Sequence, residues 1–175
     1  MLLLDKNHFD LFNLPRMFAL DEPLLEEQYR DLVAAVHPDR FVTDSPEQRR
    51  LAMQAATLAN EAWRCLRDPC SRAAYLCRLA GVSLDSAARA GASAEFLTEQ
   101  MEWREALDEA RLGARRSDIQ ALLVDVAEAR RRLLATVSEF IDTRADFEAA
   151  AGLVGQLMYV DRFSEQVEEA LDDLS

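Results

Sequence analysis

His37-Pro38-Asp39 sets an imidazole and a carboxylate on either side of a proline, and the other histidine, His8, lies far off in sequence. A His–Asp pair of this kind could work as acid and base. The rest of a catalytic constellation is missing: the sequence has no glycine-rich phosphate loop, no nucleophile motif and no second histidine nearby. Recognition is the other use for these residue types. Pro38 stiffens the loop and lowers its ordering cost on binding, Asp39 can accept a bidentate arginine, and His37 can donate or accept a hydrogen bond. Cys65, Cys70 and Cys77 are odd in number and match no paired zinc-ligand spacing, so they read as reduced thiols within helices. No metal and no cofactor is expected.

The elements that position the tripeptide are helices. Asp21 can cap, Pro23 suits a first turn, and Leu25, Tyr29, Leu32, Val33 and Val36 recur at helical spacing until Pro38 disfavours helical geometry at His37. Ser45-Pro46-Glu47-Gln48 then reads as a capping box opening a second helix, with Leu51, Ala55, Leu58, Ala62 and Leu66 on one stripe. Two long helices joined by a short loop should lie antiparallel. Before them, Phe9, Leu11, Phe12 and Leu14 form a short apolar cluster ended by Pro15. After them, a Pro69 break precedes a short helical pattern through Tyr75, Leu76 and Leu79 that ends at Gly81.

Residues 81–93, GVSLDSAARAGAS, show no sustained period and mark an expected linker between a first domain, 1–80, and a second, 94–175. The second domain contains three helical patterns. Phe96, Trp103, Leu107 and Ala110 define the first. Ile119, Leu122, Val126, Ala129, Leu133, Val137 and Phe140 define the next. The last carries Phe147, Ala150, Val154, Leu157, Val160, Val167, Leu171 and Leu174. The expected fold is all-α, a helix pair with its loop followed by a three-helix bundle.

The chain has 175 residues, half of them apolar, and a formal net charge of -12. Residues 81–175 carry ten basic and twenty acidic groups, against ten and twelve in residues 1–80. No basic face of the kind that nucleic acid requires is evident. An acidic surface suits solubility and a basic protein partner. No apolar run reaches membrane-spanning length and no signal peptide is recognised, so the expected location is the cytosol.

The tripeptide and its surroundings are highly specific as a set. Asn60-Glu61-Ala62-Trp63, Leu66, Asp68-Pro69, Arg72 and Tyr75 follow it in the pattern N-x-A-W/Y-x-x-L-x-D-P-x-x-R-x-x-Y, and residues 7–80 thereby resemble a J domain. That resemblance implies a cochaperone that stimulates the ATPase of a heat-shock-seventy chaperone and performs no catalysis itself. The expected chaperone-binding residues are His37, Pro38, Asp39, Arg30 and Arg40. The second J-domain helix, basic in the family, here has Arg30 beside Glu26, Glu27 and Asp31, with Arg49 and Arg50 further along as substitutes.

FLTEQMEWREALDEAR, residues 96–111, and LMYVDRF, residues 157–163, resemble the carboxy-terminal domain of the HscB family, the J-type cochaperones of iron–sulfur cluster assembly. The resemblance implies an IscU-like scaffold and an HscA-type chaperone as partners. It also implies scaffold contacts at Leu97, Thr98, Met101, Glu102, Glu105, Glu109 and Tyr159, with Thr98 and Tyr159 standing where methionine and phenylalanine are typical. Helical geometry points the same way. Leu97, Met101, Glu105 and Glu109 form a stripe roughly 100 degrees from the core residues of their helix, an exposed apolar patch with a carboxylate rim. The same stripe could also be a widened core face. Arg130-Arg131-Arg132 reads as a solvated helix face. A J protein with a different client, and a helical adaptor whose tripeptide is idle, remain open alternatives.

Overall fold

The computed structural model describes residues 6–41, 45–84 and 93–174, and much of the expected linker, residues 85–92, lies outside them. Among the described residues every regular element is helical. In order these are α1 (His8–Leu11), α2 (Glu22–Val36), a 3-10 turn (Pro38–Phe41), α3 (Pro46–Arg67), α4 (Pro69–Leu79), α5 (Ala94–Leu112), α6 (Arg116–Ser138) and α7 (Phe147–Asp172). The chain separates into two compact units, Met1–Leu76 and Cys77–Ser175. The first break in packing therefore falls within α4, a few residues before the composition shift.

Capping chemistry sets the helix starts. Asp21 accepts the Leu24 N–H at 3.0 Å to open α2, and Pro23 stands in its first turn. Ser45 and Gln48 make the reciprocal capping box of α3. Ser93 accepts the Phe96 N–H at 3.2 Å to open α5. Each cap satisfies a backbone donor that the helix geometry leaves without an internal partner.

In the first unit α2 and α3 lie against each other beneath α1. Leu25 and Val36 are buried from α2, and Phe9, Leu11 and Phe12 from α1 and its end. From α3 the buried residues are Ala52, Ala59, Ala62 and Leu66, whereas Leu51, Ala55 and Leu58 are only half-buried. The expected stripe is thus rotated toward alanines. A methyl group lets the neighbouring backbone come close, and the longer Leu51 and Leu58 then cover the flanks of the contact.

The second unit is a three-helix bundle. Its core joins Phe96, Trp103, Leu107 and Ala110 of α5 to Ile119, Leu122, Val126 and Ala129 of α6 and to Val160, Phe163, Val167 and Ala170 of α7. Trp103 stacks on Phe163 with ring centroids 5.8 Å apart. In the turn after α5, Gly113 keeps a right-handed conformation, and Ala114 takes the left-handed one at φ 47°. At its far end α6 runs into a π-helical turn, Glu139–Thr143, in which Ile141 is buried.

The Arg130-Arg131-Arg132 run is not simply a solvated face. Arg130 Nε donates to Asp161 at 2.6 Å, tying α6 to α7, and Arg132 reaches Glu99 of α5 at 3.2 Å. Of the three, Arg131 stands farthest out, with only a 4.0 Å approach to Glu128 on its own helix.

Candidate functional site

The tripeptide occupies a single exposed turn. His37 ends α2 with extended backbone, φ -59° and ψ 129°, as expected of a residue before proline. The Arg40 N–H then closes the turn on the His37 carbonyl at 3.0 Å. The Asp39 N–H donates to His37 Nδ1 at 3.3 Å, and the Asp39 carboxylate stands 3.6 Å from the same nitrogen. With Nδ1 accepting, a neutral ring carries its proton on Nε2, which makes His37 a donor toward a partner. The side chains of His37 and Asp39 are 52% and 86% exposed, a level of exposure suited to docking.

The neighbouring cations divide into two groups. Arg40 donates to the Ala34 carbonyl at 3.2 Å, satisfying one of the last carbonyls of α2 and holding the turn against the helix end. Arg30 lies about two helical turns back, where its Nε donates to the Glu26 carbonyl at 3.3 Å. Arg49 and Arg50 are exposed near the start of α3.

The later signature residues sit away from this turn, and two of them, Asn60 and Trp63, hold its two helices together. Trp63 of α3 stacks on Tyr29 of α2 at 4.8 Å, and its indole N–H donates to Glu26 Oε1 at 3.2 Å. The Tyr29 hydroxyl donates to Asn60 Oδ1 at 2.8 Å. Asp68 accepts the Ser71 N–H at 2.6 Å where α4 begins. Buried Arg72 donates to the Leu66 carbonyl at 2.6 Å and lies over the Phe18 ring at 5.0 Å. The Tyr75 hydroxyl accepts the His8 N–H at 3.0 Å, fastening α1. Leu66 itself is fully buried.

On the second unit, α5 buries Phe96, Trp103, Leu107 and Ala110 and turns a different face outward. Leu97 is 48% exposed and Met101 64% exposed. Thr98, Glu102, Glu105 and Glu109 are exposed beside them. Leu97 and Met101 therefore do not widen the core, and the separate stripe exists. Tyr159 departs from its expected part in an exposed patch. It is half-buried, set edge-on to Phe96 at 6.0 Å and stacked on Phe163 at 6.1 Å, so only part of the ring is available to a partner. Its hydroxyl accepts from Arg104 Nε at 3.1 Å, and the Arg104 guanidinium lies 5.6 Å from the ring centre. Nothing in helical periodicity signals that pairing, because the two residues belong to different helices.

Residues 92–168 match the family model described as the HSCB C-terminal oligomerisation domain. The "Co-chaperone protein HscB homolog" of Bordetella pertussis is 45% identical over 164 residues, spanning 94% of this chain and 95% of that protein. The chain belongs to the HscB co-chaperone family. The homolog of the same description in Burkholderia mallei is 44% identical over 175 residues, covering 99% of both chains. Among solved structures, chaperone HscB from Vibrio cholerae superimposes with a TM-score of 0.85 at 34% identity over 97% of this chain and 100% of that one. Human co-chaperone protein HscB gives 0.87 at 27% identity over 94% of this chain and 82% of that one. The all-α plan of a J domain and a C-terminal helical bundle is thus the fold of this family, and its members are co-chaperones. Among the described residues no helix is long and apolar enough to cross a membrane.

Proposed function

We propose that this co-chaperone binds an IscU-like iron–sulfur scaffold on the exposed face of α5 and brings it to an HscA-type chaperone, whose ATPase it stimulates through His37-Pro38-Asp39. Residues 1–80 form the chaperone-docking module and residues 94–175 the scaffold-binding module. The observation that carries the reading is the pairing of two different exposed sites on one chain. One is a turn closed by local hydrogen bonds, with the His37 and Asp39 side chains exposed; the other is a helix face where Leu97 and Met101 lie open among carboxylates. An exposed apolar pair with a charged rim fits a protein partner with an apolar patch and basic surroundings.

His37, Pro38 and Asp39 dock rather than react. The Nε2 donor and the Asp39 carboxylate meet an acceptor and an arginine on the chaperone, and Arg30 and Arg40, which flank the tripeptide in sequence, add positive charge. On the other module Leu97, Thr98, Met101 and the open part of Tyr159 supply contact area, while Glu102, Glu105 and Glu109 steer a basic partner. Steady-state ATP hydrolysis by a purified HscA-type chaperone, measured with the intact chain and with or without scaffold, tests the proposal. Stimulation by the chain alone, rising further when scaffold is added, is the expected outcome. No stimulation in either condition would remove the tripeptide's proposed role.

A further inference from the structure

Beside the exposed face of α5, and sharing Thr98 and Glu102 with it, lies a cleft of about 620 Å³ between α5 and α6. Its floor is apolar, formed by Phe96, Ala129 and Leu133, and Glu95, Glu99 and Glu102 stand around it. Among the described residues that line it the one cation is Arg132, and its guanidinium is paired with Glu99 at 3.2 Å. Glu95 and Glu102 make no ion pair among the described residues. Thr98 also lines the cleft. Its hydroxyl turns back to donate to the Ala94 carbonyl of its own helix at 3.0 Å, so this short side chain leaves the space above the floor clear.

An apolar floor with a carboxylate rim is complementary to one common kind of side chain, an aliphatic stem ending in a positive charge. We propose that the α5–α6 cleft receives a lysine or arginine side chain of the bound scaffold. The stem lies over Phe96 and Leu133, and the cationic end meets Glu95 and Glu102. Glu102 and Thr98 belong both to the cleft and to the outer face of α5, so a scaffold seated on Leu97 and Met101 is already adjacent to the opening. The proposal rests on the scaffold-binding reading of that face and adds to it a pocket with a defined chemistry. Arg132 then acts as a competing internal cation that lowers the cleft's net negative charge.

Calorimetric titration of the intact chain with an IscU-like scaffold, at two salt concentrations and with a thermal melt of every variant, tests this. Thr98→Met adds apolar area next to Leu97 and Met101 but covers the cleft. A flat apolar interface would bind this variant as tightly as the parent or more so, whereas occupation of the cleft predicts binding weaker by about tenfold, within the range of close charged pairs. The double change Glu95→Gln, Glu102→Gln should weaken binding by a similar factor and flatten its salt dependence. Arg132→Gln should tighten binding severalfold and steepen that dependence. Unchanged or tighter binding by folded Thr98→Met, with no effect of the glutamine pair, overturns the proposal. Leu97→Ala with Met101→Ala in the same titration separates the two levels: if that variant binds normally, the α5 face is not the client face and the cleft falls with it.

Discussion

The indole of Trp63 lies stacked on Tyr29 with its N–H on Glu26, so one residue of α3 holds two positions of α2. The tripeptide turn connects these same two helices, and its geometry depends on their spacing. Trp63→Ala should cost about 3 kcal/mol, the lower end for deletion of a large aromatic ring because this one is only half-buried. Trp63→Phe keeps the stack and loses one hydrogen bond, at a cost of about 1 kcal/mol. Denaturant unfolding of the two variants measures both values, and equal costs would mean that the hydrogen bond rather than the stack joins the helices.

His37→Gln places a polar side chain on the same exposed turn. The unfolding midpoint should remain within a few degrees of the parent, as for surface substitutions generally. Stimulation of the chaperone's ATPase should nevertheless disappear. A folded variant that still stimulates would show that the imidazole is dispensable.

A fragment of residues 1–80 retains the Trp63, Arg72 and Tyr75 ties within the first unit. It should give a cooperative melt and stimulate the chaperone at high concentration. The extra stimulation by scaffold should be lost, because no second module remains to raise the local concentration of the partners. Circular dichroism and the ATPase assay on this fragment decide the matter; an unfolded fragment would place the module boundary elsewhere.

Leu97→Ala with Met101→Ala should weaken scaffold binding at least about thirtyfold, taking about 1 kcal/mol for each truncated anchor. The melt should change little, since both side chains are open to solvent. Tyr159 needs different treatment. Its ring touches Phe96 and Phe163, so Tyr159→Ala would lower stability as well as binding, while Tyr159→Phe removes only the hydroxyl that accepts from Arg104. Calorimetry on the Phe variant measures what that hydroxyl adds to scaffold affinity.

Burial pushes the Cys77 thiol up from its ordinary 9.0 to about 11, although a backbone hydrogen bond offsets part of the shift. The folded state favours the neutral thiol. Stability from this group is therefore present below pH 9 and is lost as the pH rises toward about 11, where the unfolded chain has already ionised. In alkylation at pH 8, half-exposed Cys65 should react before buried Cys70 and Cys77. Mass spectrometry of partly labelled protein gives the order.

Much of the fold was legible because its signals are local. Asp21 and Ser45 with Gln48 cap the helices they were expected to cap, and α5 buries the four residues its period selects. Where an expectation shifted, the cause lies between elements. Ala52 replaces Leu51 in the α3 core because close helix approach favours the smaller side chain, and Phe163 completes a ring stack with Trp103 that no stripe on α7 announced. For the candidate sites, spacing and resemblance located the exposed face of α5. They did not reveal the bonds from Arg104 to Tyr159 or from Arg132 to Glu99. Such contacts depend on the register of one helix against another and on side-chain rotamers, neither of which a period of 3.6 encodes.

The remote signature residues have a consequence for inherited variation. Asn60, Trp63, Arg72 and Tyr75 are fastened to α2, Leu66 and His8 rather than to the His37-Pro38-Asp39 turn. Changes at those positions should first enlarge the unfolded fraction that proteases remove, and a loss of one to two kcal/mol is enough to alter cellular abundance several-fold. A cell carrying such a variant would hold too few copies, each nearly normal in activity. A cell carrying a change at His37 would hold a full complement of inert ones. Raised expression should rescue the first cell and leave the second deficient.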